Sequence, residues 1–142
     1  MTVPIRRRAR ELAMQALYQS EVTGQTVEES FQLLKENFQA NKRAVSYALD
    51  ILAGVEKCRV EIDDLISEHS KNWRLERMTM VDRNILRVAA FELLHKEDVP
   101  ASVVINEAIE VATRYSDEDA PAFINGVLDS IKKKLGQDKP AS

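Results

Sequence analysis

Four arginines, Arg6, Arg7, Arg8 and Arg10, stand among the first ten residues with no acid between them, and Tyr18 follows three helical turns after Arg7. Guanidinium groups offer planar, bidentate donors to phosphate, and an exposed ring can stack an unpaired base. Together they suit single-stranded RNA. Cations in the first turn of a helix oppose its dipole by about 0.3–1 kcal/mol each. A compensating negative charge outside the helix is therefore expected, and RNA phosphates would supply it in a bound state. The same residues also read as a solvated charge run with one incidental tyrosine.

A second set lies near the carboxyl end. Phe123 falls about a quarter turn off the stripe of Ile124, Val127, Leu128 and Ile131, beside the connector residues Tyr115 and Ser116. It sits in the first turn of a helix, where free N–H groups attract phosphate. Phe123 reads either as the edge of a core or as a stacking ring. Asp119, two residues before Pro121, can cap that helix while placing a negative charge near incoming phosphates.

Other chemistry finds less support. Glu92 and His95 match the Glu-x-x-His spacing of di-iron helical bundles, but such sites need a second pair, and His69 belongs to none. The sequence has no Gly-rich phosphate loop, no cysteine cluster, and no Ser or Cys with a plausible base. An enzyme is not expected, nor a metal or cofactor. Cys58 forms no internal disulfide and reads as a small core residue in a reducing compartment. Gln15, Gln19 and Glu11 interrupt any signal-peptide core, and no apolar run approaches membrane length, so the expected location is cytoplasmic.

The elements that carry these residues are helices. With 44% hydrophobic and 30% charged residues and only four Gly and four Pro in 142, the composition is that of a helical globular domain. The net charge of −3 conceals a segregation: setting the four amino-terminal arginines aside leaves 16 basic against 23 acidic residues, a net −7. A basic tip on an acidic body implies a local anion site. Ile5, Ala9, Leu12, Ala13, Ala16 and Leu17 form the apolar stripe of a first helix ended by Gly24, with Arg7, Glu11, Met14 and Tyr18 expected on its solvent face. Thr26 and Glu29 form a capping box for a second helix. One helix of about 28 residues is expected over 42–69, with Gly54 as a weak point or a place of close packing. Thr79 and Asp82 open a fourth, central helix reaching His95. Ser102 caps a fifth, and Pro121 starts a sixth that Gly136 closes. The domain should span 1–136, followed by a disordered tail over 137–142.

With these residues in view, the chain resembles the NusB family of bacterial transcription antitermination factors. The resemblance rests on "RRRARELAMQALYQ" at the front, and at the back on "PASVVINEAIEVA" and "FINGVLD". Residues 25–75 match only in helical pattern. The resemblance implies an all-α fold of six to seven helices in two packed three-helix bundles and a non-catalytic role. With the ribosomal protein NusE, such a protein would bind single-stranded boxA RNA, nucleating an antitermination complex on RNA polymerase with other Nus factors during ribosomal RNA synthesis. It implies an RNA face of Arg6, Arg7, Arg8, Arg10, Tyr18 and the Tyr115–Phe123 segment with Ser116 and Asp119. It places the NusE face more loosely on the fourth helix around Asp82. The sequence leaves open whether the free protein forms a homodimer through the same RNA face. A helical protein-interaction adaptor without RNA affinity is the alternative; a NusB-like accessory domain of RNA methyltransferases is a related one.

Overall fold

In a computed structural model that describes residues 4–38, 41–71 and 74–138, the chain forms seven α-helices and one short 3-10 turn at Leu75–Arg77. These are α1 (Ile5–Thr23), α2 (Val27–Phe38), α3 (Lys42–Lys57), α4 (Arg59–His69), α5 (Met80–His95), α6 (Ala101–Tyr115) and α7 (Ala120–Asp138). No strand occurs among the described residues.

Local chemistry sets most boundaries. Gly24 ends α1 in the left-handed region at φ 76°, its N–H donating to the Ser20 carbonyl, a conformation glycine adopts without a Cβ penalty. Thr26 Oγ1 accepts from the Glu29 N–H at 3.0 Å and donates to the Glu29 carboxylate at 2.9 Å, so the two side chains close the start of α2 together. Asn41 caps α3 through the Arg43 N–H, and Thr79 caps α5 through the Asp82 N–H.

Four boundaries depart from expectation. The single helix over 42–69 is two helices, broken at Cys58, whose φ of −107° and ψ of 19° leave the helical well. The bend lets α3 bury Ala48, Ile51 and Val55 while α4 turns Ile62 and Ile66 toward α5 and α7. The α6 helix begins at Ala101, one residue before the expected Ser102 cap. Pro100 occupies the cap position, its carbonyl accepts from Val104, and Ser102 is exposed within the first turn. Asp119 does not cap α7 through its side chain: Asp117 Oδ1 accepts from the N–H groups of Asp119 and Ala120, each at 3.2 Å. At its far end α7 passes through Gly136 to Asp138, so part of the expected tail is helical. Residues 139–142 lie outside the described residues.

The helices pack as two joined bundles. The first contains α1, α2 and α3; the second contains α4 to α7, and the break at Cys58 is what adds the seventh helix to it. At the join, α5 touches α1 and α3 as well as α4, α6 and α7. It is buried without interruption from Asn84 to Glu92, so its central position follows from apolar residues around nearly its whole circumference. Gly54 of α3 faces the Phe91 ring of α5, and a Cβ on it would lie 2.1 Å from Phe91 Cε1. Close packing is thus the use of this glycine.

Candidate nucleic-acid interface

The helix that carries the arginines is buried on more sides than its apolar stripe requires. Glu11 and Met14, expected on a solvent face, are 1% and 2% exposed. They are covered because α1 and α6 lie side by side on α5. Tyr18, further along, is 39% exposed as expected.

Each arginine of the amino-terminal run has a carboxylate from the protein itself. Arg6 reaches Asp98 at 3.5 Å, in the α5–α6 connector, and its guanidinium lies over the Tyr47 ring. Arg7 donates Nε and Nη2 to the two oxygens of Glu107 on α6, at 2.7 and 3.1 Å. Arg8 lies 3.8 Å from Glu11, which also takes a hydrogen bond from Arg114 at 3.1 Å. Arg10 is 5% exposed and donates Nε and Nη2 to Glu92 at 2.6 and 2.8 Å, while Tyr47 donates its hydroxyl to the same carboxylate at 2.8 Å. Burial, the charge of Glu92 and this hydrogen bond push the Tyr47 phenol up to about 12.

These contacts correct two expectations. The unfavourable dipole term at the start of α1 is offset within the fold, by acids on α5, on α6 and on α1 itself, without RNA. Arg10 is a buried tie between α1 and α5 and presents no face to a ligand. Arg6, Arg7 and Arg8 remain partly exposed at the surface.

The aromatic residues divide between two neighbouring grooves. Tyr18 and Tyr115 line one of about 460 Å³, with Met14, Gln15, Gln19 and Val81. Burial, then the charge and hydrogen bond of Glu11, raise the Tyr115 phenol, so the ring enters the groove neutral. Asp82, Asp119 and Phe123 line a second groove of about 340 Å³. Between them Ser116 donates its hydroxyl to Asp82 Oδ1 at 2.6 Å. Asp82, 8% exposed, is thereby held at the boundary of the two grooves. The structure brings Tyr18, Tyr115, Ser116, Asp82, Asp119 and Phe123 into one neighbourhood, with Arg8 at its near end.

Arg114 belongs to this neighbourhood, and sequence reasoning missed it. It bridges to Glu11 and lies 5.9 Å from the Tyr115 ring centre, with a side chain 54% exposed. Its signal was its position immediately before Tyr115, a cation next to an aromatic at a helix end. Glu92 and His95 are not paired ligands: Glu92 is occupied by Arg10 and Tyr47, and His95 turns to Glu61 at 3.1 Å.

Fold and site together define a seven-helix, two-bundle protein with a basic and aromatic seam along the edge of its first helix. The chain belongs to the NusB family, whose model matches residues 7–133. It is 46% identical over 134 residues to the transcription antitermination protein NusB of Desulfotalea psychrophila, covering 90% of this chain and 95% of that protein. Among solved structures, T. maritima NusB is 39% identical with a TM-score of 0.85, covering 94% of each chain. A chain in the crystal structure of the antitermination factors NusB and NusE in complex with dsRNA is 30% identical, with a TM-score of 0.85, covering 94% of this chain and 99% of that one. No described helix is long and apolar enough to cross a membrane.

Proposed function

We propose that this protein is a non-catalytic RNA-binding adaptor of transcription antitermination, binding boxA-like single-stranded RNA together with a NusE-type ribosomal protein. The observation that carries this reading is the pairing of Tyr18 and Tyr115 in one groove beside Arg8 and Arg114. Two rings at one opening can stack successive bases, and guanidinium groups beside them can hold the connecting phosphates. Family membership and the relative that was crystallised with NusE and double-stranded RNA support the coarser part of this reading, an adaptor for RNA and NusE. The RNA contacts in this reading are Arg6, Arg7, Arg8, Tyr18, Arg114, Tyr115, Ser116 and Phe123. Asp119 modulates them by charge, and Asp82 contributes to the partner face. RNA polymerase and other Nus factors are reached indirectly, the protein acts in the cytoplasm, and the free protein can pair with a second copy.

The test is titration of a boxA-like single strand, and of the same sequence as a duplex, with and without NusE at several salt concentrations. The expected result is preference for the single strand, tightening by NusE, and affinity that falls steeply with salt. Absence of RNA affinity in the presence of NusE would leave a protein-interaction adaptor.

A further inference from the structure

The break between α3 and α4 brings three metal-ligating side chains together at the end of α5. Cys58, Glu61 and His95 offer a thiol, a carboxylate oxygen and an imidazole nitrogen that all lie within 4.8 Å of one another, the one such group among the described residues. We propose that this trio is a zinc-class metal site, with three protein ligands and a fourth position open to water or to a partner's side chain.

The backbone explains the convergence. Cys58 is the cap residue of α4, and Glu61 lies three positions on in its first turn, so the two side chains share one edge of that helix. His95 is the last residue of α5, its ring resting on Phe91 with centroids 5.4 Å apart, and its Nε2 is 3.1 Å from Glu61 Oε1. Tetrahedral zinc, with bonds of about 2.0–2.3 Å, needs ligand atoms roughly 3.3–3.8 Å apart. Small rotamer changes close the trio to that size, because Glu61 and His95 are exposed and only Cys58 is half-buried. The ion would replace a solvent-exposed His–Glu contact. A thiolate with an imidazole favours zinc, cobalt or nickel over magnesium and calcium, which prefer oxygen alone. Bound there, the ion would tie the bend at Cys58 to the end of α5, at the join of the two bundles.

The experiment uses the full-length, reduced protein and two probes, Co²⁺ and Zn²⁺. Cobalt should bind at one equivalent with a near-ultraviolet thiolate charge-transfer band and the visible bands of four-coordination, and zinc should displace it. Cys58→Ser should abolish the charge-transfer band. His95→Gln and Glu61→Gln should each weaken zinc at least about tenfold in competition with a chromophoric chelator. His69→Gln, which alters the other histidine, should leave zinc affinity unchanged. Zinc should raise the melting temperature of the parent protein and not that of His95→Gln. Because Glu61 is exposed, Glu61→Gln reports on the site even where a change at Cys58 disturbs the bend. A cobalt complex without the thiolate band, or equal zinc affinity in the parent and the three variants, overturns the proposal.

Discussion

Arg10 on α1 and Glu92 on α5 form a two-pronged ion pair inside the protein, with both residues at least 95% buried and Tyr47 of α3 donating to the same carboxylate. Three helices from both bundles therefore meet at one charge. Taking two ions out of water is costly, and this pair is tolerated because both carboxylate oxygens are hydrogen-bonded.

Removing one partner should be far worse than removing both. Arg10→Ala leaves Glu92 buried beside a hydroxyl alone and should cost about 3–5 kcal/mol of stability. Arg10→Met combined with Glu92→Met and Tyr47→Phe should recover most of that loss. Denaturant unfolding of the two variants measures the difference. A loss below about 1 kcal/mol in Arg10→Ala would show that water reaches the pair.

The surface arginines should behave differently. Arg7→Ala with Arg8→Ala should flatten the salt dependence of RNA binding by roughly one to two units of log–log slope, about one for each phosphate left without its arginine. The folded fraction of Arg10→Ala should keep the parent slope, because that guanidinium is closed to ligands. An unchanged slope in the double variant removes Arg7 and Arg8 from the interface.

Asp117 and Asp119 separate capping from charge. Asp117→Ala should cost about 1 kcal/mol of stability, since it deprives two N–H groups of their acceptor. Asp119→Asn should leave melting unchanged and tighten RNA binding by a few-fold at low salt, an exposed charge contact being worth about 0.2–1 kcal/mol. Weaker RNA binding by Asp119→Asn would mean that this carboxylate contacts the RNA favourably.

Gly54 should not accept even one methyl group. Alanine improves helix propensity by about 1 kcal/mol, yet at this position its Cβ meets the Phe91 ring of α5. Overpacking costs about 1–3 kcal/mol, so Gly54→Ala should be net destabilising, and Phe91→Leu should reduce the penalty in a double variant. Equal melting temperatures for the parent and Gly54→Ala would show that α3 can shift away from α5.

Acid stability should depend on Glu21. Burial alone would raise its carboxyl, but hydrogen bonds from Arg83, Asn84 and Arg87 outweigh that effect and hold it below the ordinary value of 4.5. A depressed folded-state pKa gives stability that is complete above the unfolded-state value and is lost as pH falls through the folded one. Glu21→Gln should therefore be less stable than the parent at pH 7, with the gap narrowing below about pH 4. A gap independent of pH would assign the loss to packing instead of charge.

Pro100 and Asp117 hold the cap positions expected of Ser102 and Asp119, whereas several other helix ends were legible because their signals are local: Thr26 with Glu29, Thr79 with Asp82, and Gly24 at a chain reversal. The bend at Cys58 was not, since neither proline nor glycine marks it and the apolar spacing runs through it unbroken. The arginine run was recognised as needing compensation, but its carboxylates, Asp98, Glu107 and Glu92, lie some 80 to 100 residues away, where spacing rules carry no information. The burial of Glu11 was hidden for the same reason: its cover comes from α6, and a helical wheel of α1 contains no trace of a neighbour's position.

Of the seven described helices, α1 is made before the others, yet its charges are among the last to be satisfied. Its ties to Glu92, Glu107 and Arg114 span 82, 100 and 103 residues. At about 5–20 residues per second, some 5–20 seconds of synthesis separate α1 from its partners. During that interval α1 can already pack on α2 and α3, but Arg7 and Arg10 wait for their carboxylates, and the long loops they must close slow the search afterwards. Joining of the first bundle to α5 and α6 becomes the step that commits the molecule to its native topology, and a chain truncated before α6 should remain a substrate for chaperones.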